Sequence, residues 1–186
     1  VIVPVVFEET KKEILNQAKK IETILKEFNP ILDSREEYSA GWKYNEWELK
    51  GIPLRIEIGP KDIKKKQVVI VRRDTGKKQE IKTNNLKKLV RFILGDIQNN
   101  LYLKAKKYLD SSIIKVENLE MLKNTIENGK LAKVFLCNNE SCEHYIKQRF
   151  NGVKPILIPL EQPKTYGKCI NCLKESKNIV YFSKTY

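Results

Sequence analysis

The chain lacks any apolar run near the ~20 residues that a membrane span requires. Histidine occurs once, at His144, and methionine once, at Met121. No P-loop and no Ser/His/Asp set can be found, so those two kinds of catalysis lack their residues. Acidic residues are scarce: 23 Asp+Glu stand against 36 Lys+Arg, for a net charge of +13. Internal repeats and low-complexity linkers are missing too. The opening VIVPVVF is apolar, but no basic stretch precedes it and no small-residue cleavage site follows. It reads as a strand rather than a leader peptide. The first residue is not Met, which suggests a piece of something larger.

What is present describes a folded globular chain. Hydrophobic residues make up 41% and charged residues 32% of 186 positions, enough for one full core and a smaller companion domain. The positive surplus is uneven. Pro60 to Arg91 holds 12 Lys+Arg and 3 Asp+Glu, a surplus of nine charges in one segment. Such a concentration points to a polyanionic partner, with a solvated lysine-rich face as the plain alternative. No strongly apolar helix face accompanies it, which argues against a membrane surface.

Hydrophobic periodicity predicts strands alternating with covering helices, an α/β layer with a mixed sheet. Val1 to Phe7 reads as a strand and Glu8 to Phe28 as a helix with Ile14, Ala18, Ile21 and Leu25 inward. Asn29-Pro30 stops that helix, and Ile31-Leu32 opens a short strand. Ser39 caps a helix that Gly51 ends. Leu54 to Ile58 alternates as a strand, Gly59-Pro60 turns the chain, and Gln67 to Arg72 reads as a second strand. Asp74-Thr75-Gly76 turns into a third strand, Lys78 to Lys82. Leu86 to about Leu109 forms a long helix with Leu86, Leu89/Val90, Ile93, Ile97 and Leu101 buried. The expected domains are 1–112 and 113–186. The second reads as a helix (Leu119 to Asn128), a strand (Ala132 to Leu136), a helix (Glu143 to Phe150), a strand (Pro155 to Leu160) and a last strand (Ile179 to Ser183).

The four cysteines lie in two pairs, Cys137-x4-Cys142 and Cys169-x2-Cys172. Each pair can place two thiolates on one side of a tetrahedron, and together they would close a four-sulfur structural zinc site. Gly167 and Asn171 favour a tight second turn. Buried free thiols, two disulfides and a redox C-x-x-C are the alternatives. The polar flanks make poor core, the missing leader argues for a reducing compartment, and no helix follows Cys172 to activate a thiol. Four thiolates leave no open position, so the metal would hold the domain together rather than catalyse. His144 reads as a surface residue of the following helix.

The block WELKGIPLRIEIGPKD, continued by VRRDTG at Val71 to Gly76, resembles the anticodon-binding domain of prolyl-tRNA synthetases, a class II family. The four cysteines followed by a chain end in Tyr186 resemble the zinc-binding C-terminal extension of its archaeal and eukaryotic-type members. The likeness covers nearly the whole chain. It implies that Tyr44, Glu48, Arg55, Lys61 and Lys77 read the anticodon. The chemistry suits that role. A carboxylate accepts from the N1–H and N2–H of an unpaired guanine, and an arginine takes O6 and N7. An aromatic ring stacks on a splayed base, and lysines neutralise phosphates. Without the likeness, Glu48 and Arg55 would pass for a surface ion pair. Trp42 and Trp47 read as core and helix-packing residues, and Lys64, Lys65 and Lys66 as a solvated run.

The resemblance further implies selection of tRNA(Pro), whose anticodon has G at its second and third positions. It implies a separate catalytic domain of the same enzyme, absent here, that uses ATP and Mg2+ to join proline to tRNA. It also implies a cytoplasmic, homodimeric parent with the Tyr186 carboxylate packed back toward the catalytic domain. The loop from Lys147 to Gly167 departs from the family pattern. A free-standing RNA-binding or scaffold module on the same fold is the alternative function.

Overall fold

A computed structural model describes residues 1–162 and 164–185 of the chain. It divides into two compact units, Val1–Lys104 and Ala105–Tyr186, each with its own buried cluster.

Unit one is a four-stranded mixed sheet in the order β1-β2-β3-β4, from β1 (Ile2–Pro4), β2 (Leu54–Ile58), β3 (Gln67–Arg72) and β4 (Lys78–Lys82). β1 and β2 pair in parallel, so the chain must cross over between them. It does so through α1 (Lys11–Ile24) and α2 (Ala40–Leu49). β2, β3 and β4 are antiparallel neighbours. Side chains alternate along a strand. Leu54, Ile56 and Ile58 therefore enter one buried cluster with Val68, Ile70 and Ile81. Ile14, Ala18, Ile21 and Leu25 cover that cluster, as do Leu86, Val90, Ile93 and Ile97 of α4 (Leu86–Ser112). The intervening Arg55 and Glu57 turn to the opposite face.

The ends of α2 follow the sequence. Ser39 Oγ accepts from Trp42 N–H at 3.3 Å, and Gly51 follows the last turn at φ +80°. A side chain at that φ would be strained. Several expectations need correction. Ile31-Leu32 is no strand but a single parallel bridge from Leu32 to Ile2. Gly59-Pro60 opens a five-residue helix, α3 (Pro60–Lys64), rather than a bare turn. Pro60 suits the first helical position, and Asp62 Oδ2 accepts from Gly59 N–H at 2.9 Å. Leu101 is 39% exposed instead of buried. Trp42 is 43% exposed and stacks on Tyr38 at 3.8 Å rather than joining the core.

Unit two carries a second four-stranded mixed sheet in the order β5-β6-β10-β7. Its strands are β5 (Ile113–Lys115), β6 (Leu131–Phe135), β7 (Val153–Leu157) and β10 (Ile179–Lys184). α5 (Leu119–Glu127) and α6 (Glu140–Arg149) contribute Leu122, Ile126 and Ile146 to a cluster with Ala132, Val134, Val180 and Phe182. β5 and the two-residue hairpin β8 (Gly167–Lys168) and β9 (Glu175–Ser176) are too short for periodicity to reveal. β7 forms one edge of this sheet, opposite β5. It carries Pro155, its register with β10 shifts between Tyr181 and Phe182, and Ile156, Leu157, Ile158 and Leu160 stand exposed along and beyond it. The carboxylate end expected at Tyr186 lies outside the described residues.

Two buried carboxylates pin unit one. Asp33 accepts from Arg35 Nε at 2.9 Å and Nη2 at 2.7 Å and from Trp47 Nε1 at 2.8 Å. Asp74 accepts from Arg72 Nη2 at 2.7 Å and Asn100 Nδ2 at 2.7 Å, joining the β3–β4 turn to α4. The Arg35 hydrogen bonds hold Asp33 far below the usual carboxylate range, and those of Arg72 bring Asp74 down to about 2. A carboxylate depressed in the folded state contributes its full stability above its unfolded pKa of about 4. That contribution fades as pH falls through the folded value. Acid titration should accordingly weaken unit one progressively from about pH 4 toward pH 2. Asp33→Ala should cost about 2–4 kcal/mol at pH 7, read by urea unfolding. Full stability of the variant would show that this carboxylate does not anchor α2.

Candidate nucleic-acid interface and metal centre

Arg55 sits on the sheet face opposite the aliphatic cluster and is only 8% exposed. A guanidinium cannot lose its charge, so burial there demands partners. Three surround it. Glu57, two residues along β2 and hence on the same face, accepts from Nε at 2.9 Å. Glu48, on the last turn of α2, accepts from Nη1 at 2.7 Å. The Tyr44 ring lies 4.0 Å from the guanidinium carbon, within cation–π range. Burial, and then the negative charge of Glu57, pushes the Tyr44 phenol up to about 12, so it stays a neutral donor. Glu48 remains half exposed at 51% of its side chain, so the cluster opens to solvent on its side.

α2 is held over this face by the Asp33 network. Lys43, 4% exposed, donates to the backbone carbonyls of Asp33 and Arg35. Arg35 also pairs with Glu46, one helical turn beyond. Trp47 spends its indole N–H on Asp33 rather than packing as a plain core residue. Three of the five expected readers, Tyr44, Glu48 and Arg55, thus meet in one contact set. Lys61 and Lys77 do not join it. Lys61 stands on α3 beyond the end of β2, whereas Lys77 lies in the β3–β4 turn, which bonds back to Pro53 ahead of β2. Neither side chain makes an ion pair among the described residues. Sequence reasoning missed Glu57 and Lys78, whose Nζ lies 3.8 Å from Glu57. Strand alternation after Arg55 could have found Glu57.

Part of the basic surplus is spent internally. Arg72 pairs with Asp74 and Asp96, and Lys87 and Arg91 with Glu27. Lys61, Lys64, Lys65, Lys66, Arg73, Lys77, Lys82 and Lys88 make no ion pair among the described residues. All eight are exposed.

In unit two the four sulfurs come together, with ligand atoms all within 4.8 Å of one another. Cys137 follows β6, and Cys142 lies in the first turn of α6, which is capped by Asn139. Cys169 and Cys172 sit in the turn of the β8–β9 hairpin. Cys169 N–H donates to Lys174 O at 2.8 Å, and Leu173 takes φ +62°. Ile170 N–H donates to Phe135 O at 2.9 Å and ties this turn to β6. Gly167 serves a different purpose from the one expected. Its φ is ordinary, but a Cβ there would stand 2.1 Å from the Phe135 ring. Burial raises the Cys169 thiol, yet hydrogen bonds from the backbone of Cys137, Cys172 and Asn171 bring it down to about 7. Cys137 goes the other way: against the lowering from the Asn139 backbone, burial and the neighbouring sulfurs push it up to about 12. Four thiolates so close repel one another unless a cation lies between them, so this is a set that could hold a metal ion. His144 is exposed on α6 and bonds Gln148 instead.

Comparison with known proteins agrees across both units. Residues 1–93 match the family described as the anticodon binding domain, and residues 119–186 the one described as prolyl-tRNA synthetase, C-terminal. The chain belongs to the prolyl-tRNA synthetase family. Relatives named proline–tRNA ligase include that of Alkaliphilus oremlandii, 39% identical over 188 residues, covering 100% of this chain and 38% of the relative. Those of Natranaerobius thermophilus and Thermofilum pendens are 37% and 33% identical, each over 190 residues, with 100% of this chain and 39% of the relative covered. The chain therefore spans about two fifths of the length of these synthetases. It corresponds to their anticodon-binding and C-terminal domains.

Chelation should separate the two units. Removing a bound metal at neutral pH should unfold residues 105–186 while 1–104 keeps its cooperative transition, and Cys169→Ser should do the same. Hydrogen exchange resolved by region would show it. Equal protection of unit two with and without chelator would exclude a structural metal.

Proposed function

We propose that this chain selects tRNA(Pro) by its anticodon, as the part of a proline–tRNA ligase that carries no catalytic residues. The observation that carries the reading is the Tyr44–Arg55–Glu48 set: a guanidinium and a carboxylate side by side, with an aromatic ring against them, at the family's anticodon-reading positions. Glu48 offers an acceptor to the N1–H and N2–H of a guanine, and Arg55 offers donors to O6 and N7. Lys61 and Lys77, at opposite ends of β2, are phosphate contacts flanking the base site. The unpaired lysines of α3 and the strand turns add attraction without sequence preference.

The functional boundary falls at 112/113, where α4 ends, leaving an anticodon-binding domain and a C-terminal domain. Zinc is the metal of unit two. Cys137 and Cys172 Sγ atoms stand 3.7 Å apart, close to the ~3.8 Å edge of a tetrahedron with bonds of about 2.3 Å. In this reading the whole enzyme activates proline with ATP and Mg2+, dimerises through its catalytic domain and works in the cytoplasm. The names of the relatives support it, and no helix of the described residues is long and apolar enough to cross a membrane.

Elemental analysis of chain purified without chelator should find one zinc per chain; none would refute the zinc assignment. Binding to anticodon stem–loops is the direct test of the site. Affinity should fall steeply with salt, as expected when several phosphates are neutralised. Arg55→Ala should lose about 1–3 kcal/mol against the proline anticodon and flatten the preference for G over A. Lys61→Ala should weaken all stem–loops about equally. If Glu48→Ala and Arg55→Ala both bind as the unaltered chain does, the site has been misread.

A further inference from the structure

The reading groups are already satisfied by one another in the free chain. Glu48 accepts from Arg55 Nη1 at 2.7 Å, so a guanine must insert into an existing ion pair. Arg55 has a second carboxylate, Glu57, that the family pattern of readers does not include. Glu57 takes Nε at 2.9 Å, and its side chain is 13% exposed against 51% for Glu48. The two carboxylates therefore differ in kind. One lies on the floor of the sheet, and the other stands half in solvent, where it can change partners.

We propose that Glu57 is a positioning residue for base selection. The inference rests on the anticodon reading of this face. By holding Nε on one edge, with Tyr44 against the ring-like face of the guanidinium, Glu57 fixes the direction of the two Nη groups. When a base enters, Glu48 moves onto its donors while the Nη edge stays where an acceptor must come. Guanine meets both demands, with O6 toward Arg55 and N1–H and N2–H toward Glu48. In the same pose adenine sets an amino group against the guanidinium and a bare N1 against the carboxylate. Without Glu57, Arg55 is free to turn and grip Glu48 with a two-bond fork, and both readers are withdrawn together. Lys78, 3.8 Å from Glu57, offsets part of its charge and keeps it from repelling the incoming strand.

The test uses the 186-residue chain and anticodon stem–loops carrying G or A at each guanine position. Glu57→Ala should cut the G-over-A affinity ratio by tenfold or more at one position while leaving the salt slope unchanged. Glu57→Gln, which can still accept from Nε, should restore most of that ratio. Equal losses for G and A loops, or an unaltered ratio, would overturn the proposal and leave Glu57 a prop of the fold. If Glu57→Ala does not fold, Glu57→Asp decides. Its shorter reach should lower the ratio severalfold, and no change would overturn the proposal. Two failures stay distinct. No G preference in the unaltered chain, or its survival in Arg55→Ala, would sink the anticodon reading itself. Loss in Arg55→Ala with retention in Glu57→Ala would sink only the role of Glu57.

Discussion

One buried carboxylate sets the geometry of unit one. Asp33 gathers the guanidinium of Arg35 and the indole of Trp47, and Lys43 lies 3.9 Å away. Two of those residues belong to α2, so the helix is clamped by charge and hydrogen bonds where its own apolar face is weak. The contact set around Arg55 follows from that clamp. Tyr44 and Glu48 reach Arg55 only because α2 lies at the height and rotation that Trp47 and Lys43 impose. Bonds of this kind are directional in a way that aliphatic packing is not, which suits the proposed reading of a base by its hydrogen-bond pattern.

The two units solve the problem of a small core differently. Unit one packs aliphatic residues from all four strands and two long helices on one side of its sheet. Unit two has shorter elements, and its buried cluster runs directly into Cys142 and Cys169. A metal joining four positions spread from Cys137 to Cys172 would close a loop of chain that the apolar cluster alone must otherwise hold. The proposed recognition site and the sulfur cluster are thus kept in separate units of the chain.

Much of this could be read in the sequence, for identifiable reasons. Ser39 and Gly51 marked α2 because caps and positive φ demand few residue types. β2 showed itself through alternation, β3 through its short apolar run and β4 through the turn at Asp74-Thr75-Gly76 before it, and the cysteine spacings announced the sulfur cluster. What escaped depends on contacts distant in sequence. Trp42 looked like core, yet α2 buries Lys43 and leaves Trp42 outside, because backbone carbonyls at 33 and 35 wait for the ammonium. α3 is one turn long, and Gly-Pro spells a turn as readily as a helix start. Nothing in the sequence set Glu57 apart from the other acidic residues until β2 placed it beside Arg55. Lys61 and Lys77 are close to the readers in sequence terms but fall at opposite ends of a strand.

The edge strand β7 has a consequence for how the chain behaves in company. Exposed Ile156, Leu157 and Ile158 would ordinarily make such an edge adhesive, since a free ladder invites another chain to extend the sheet. Pro155 removes a donor from that ladder, and the shift opposite Tyr181 and Phe182 bends it out of regular spacing. Both features work against a second molecule adding a strand in register. This apolar edge is therefore a poor template for the strand addition that seeds fibrils.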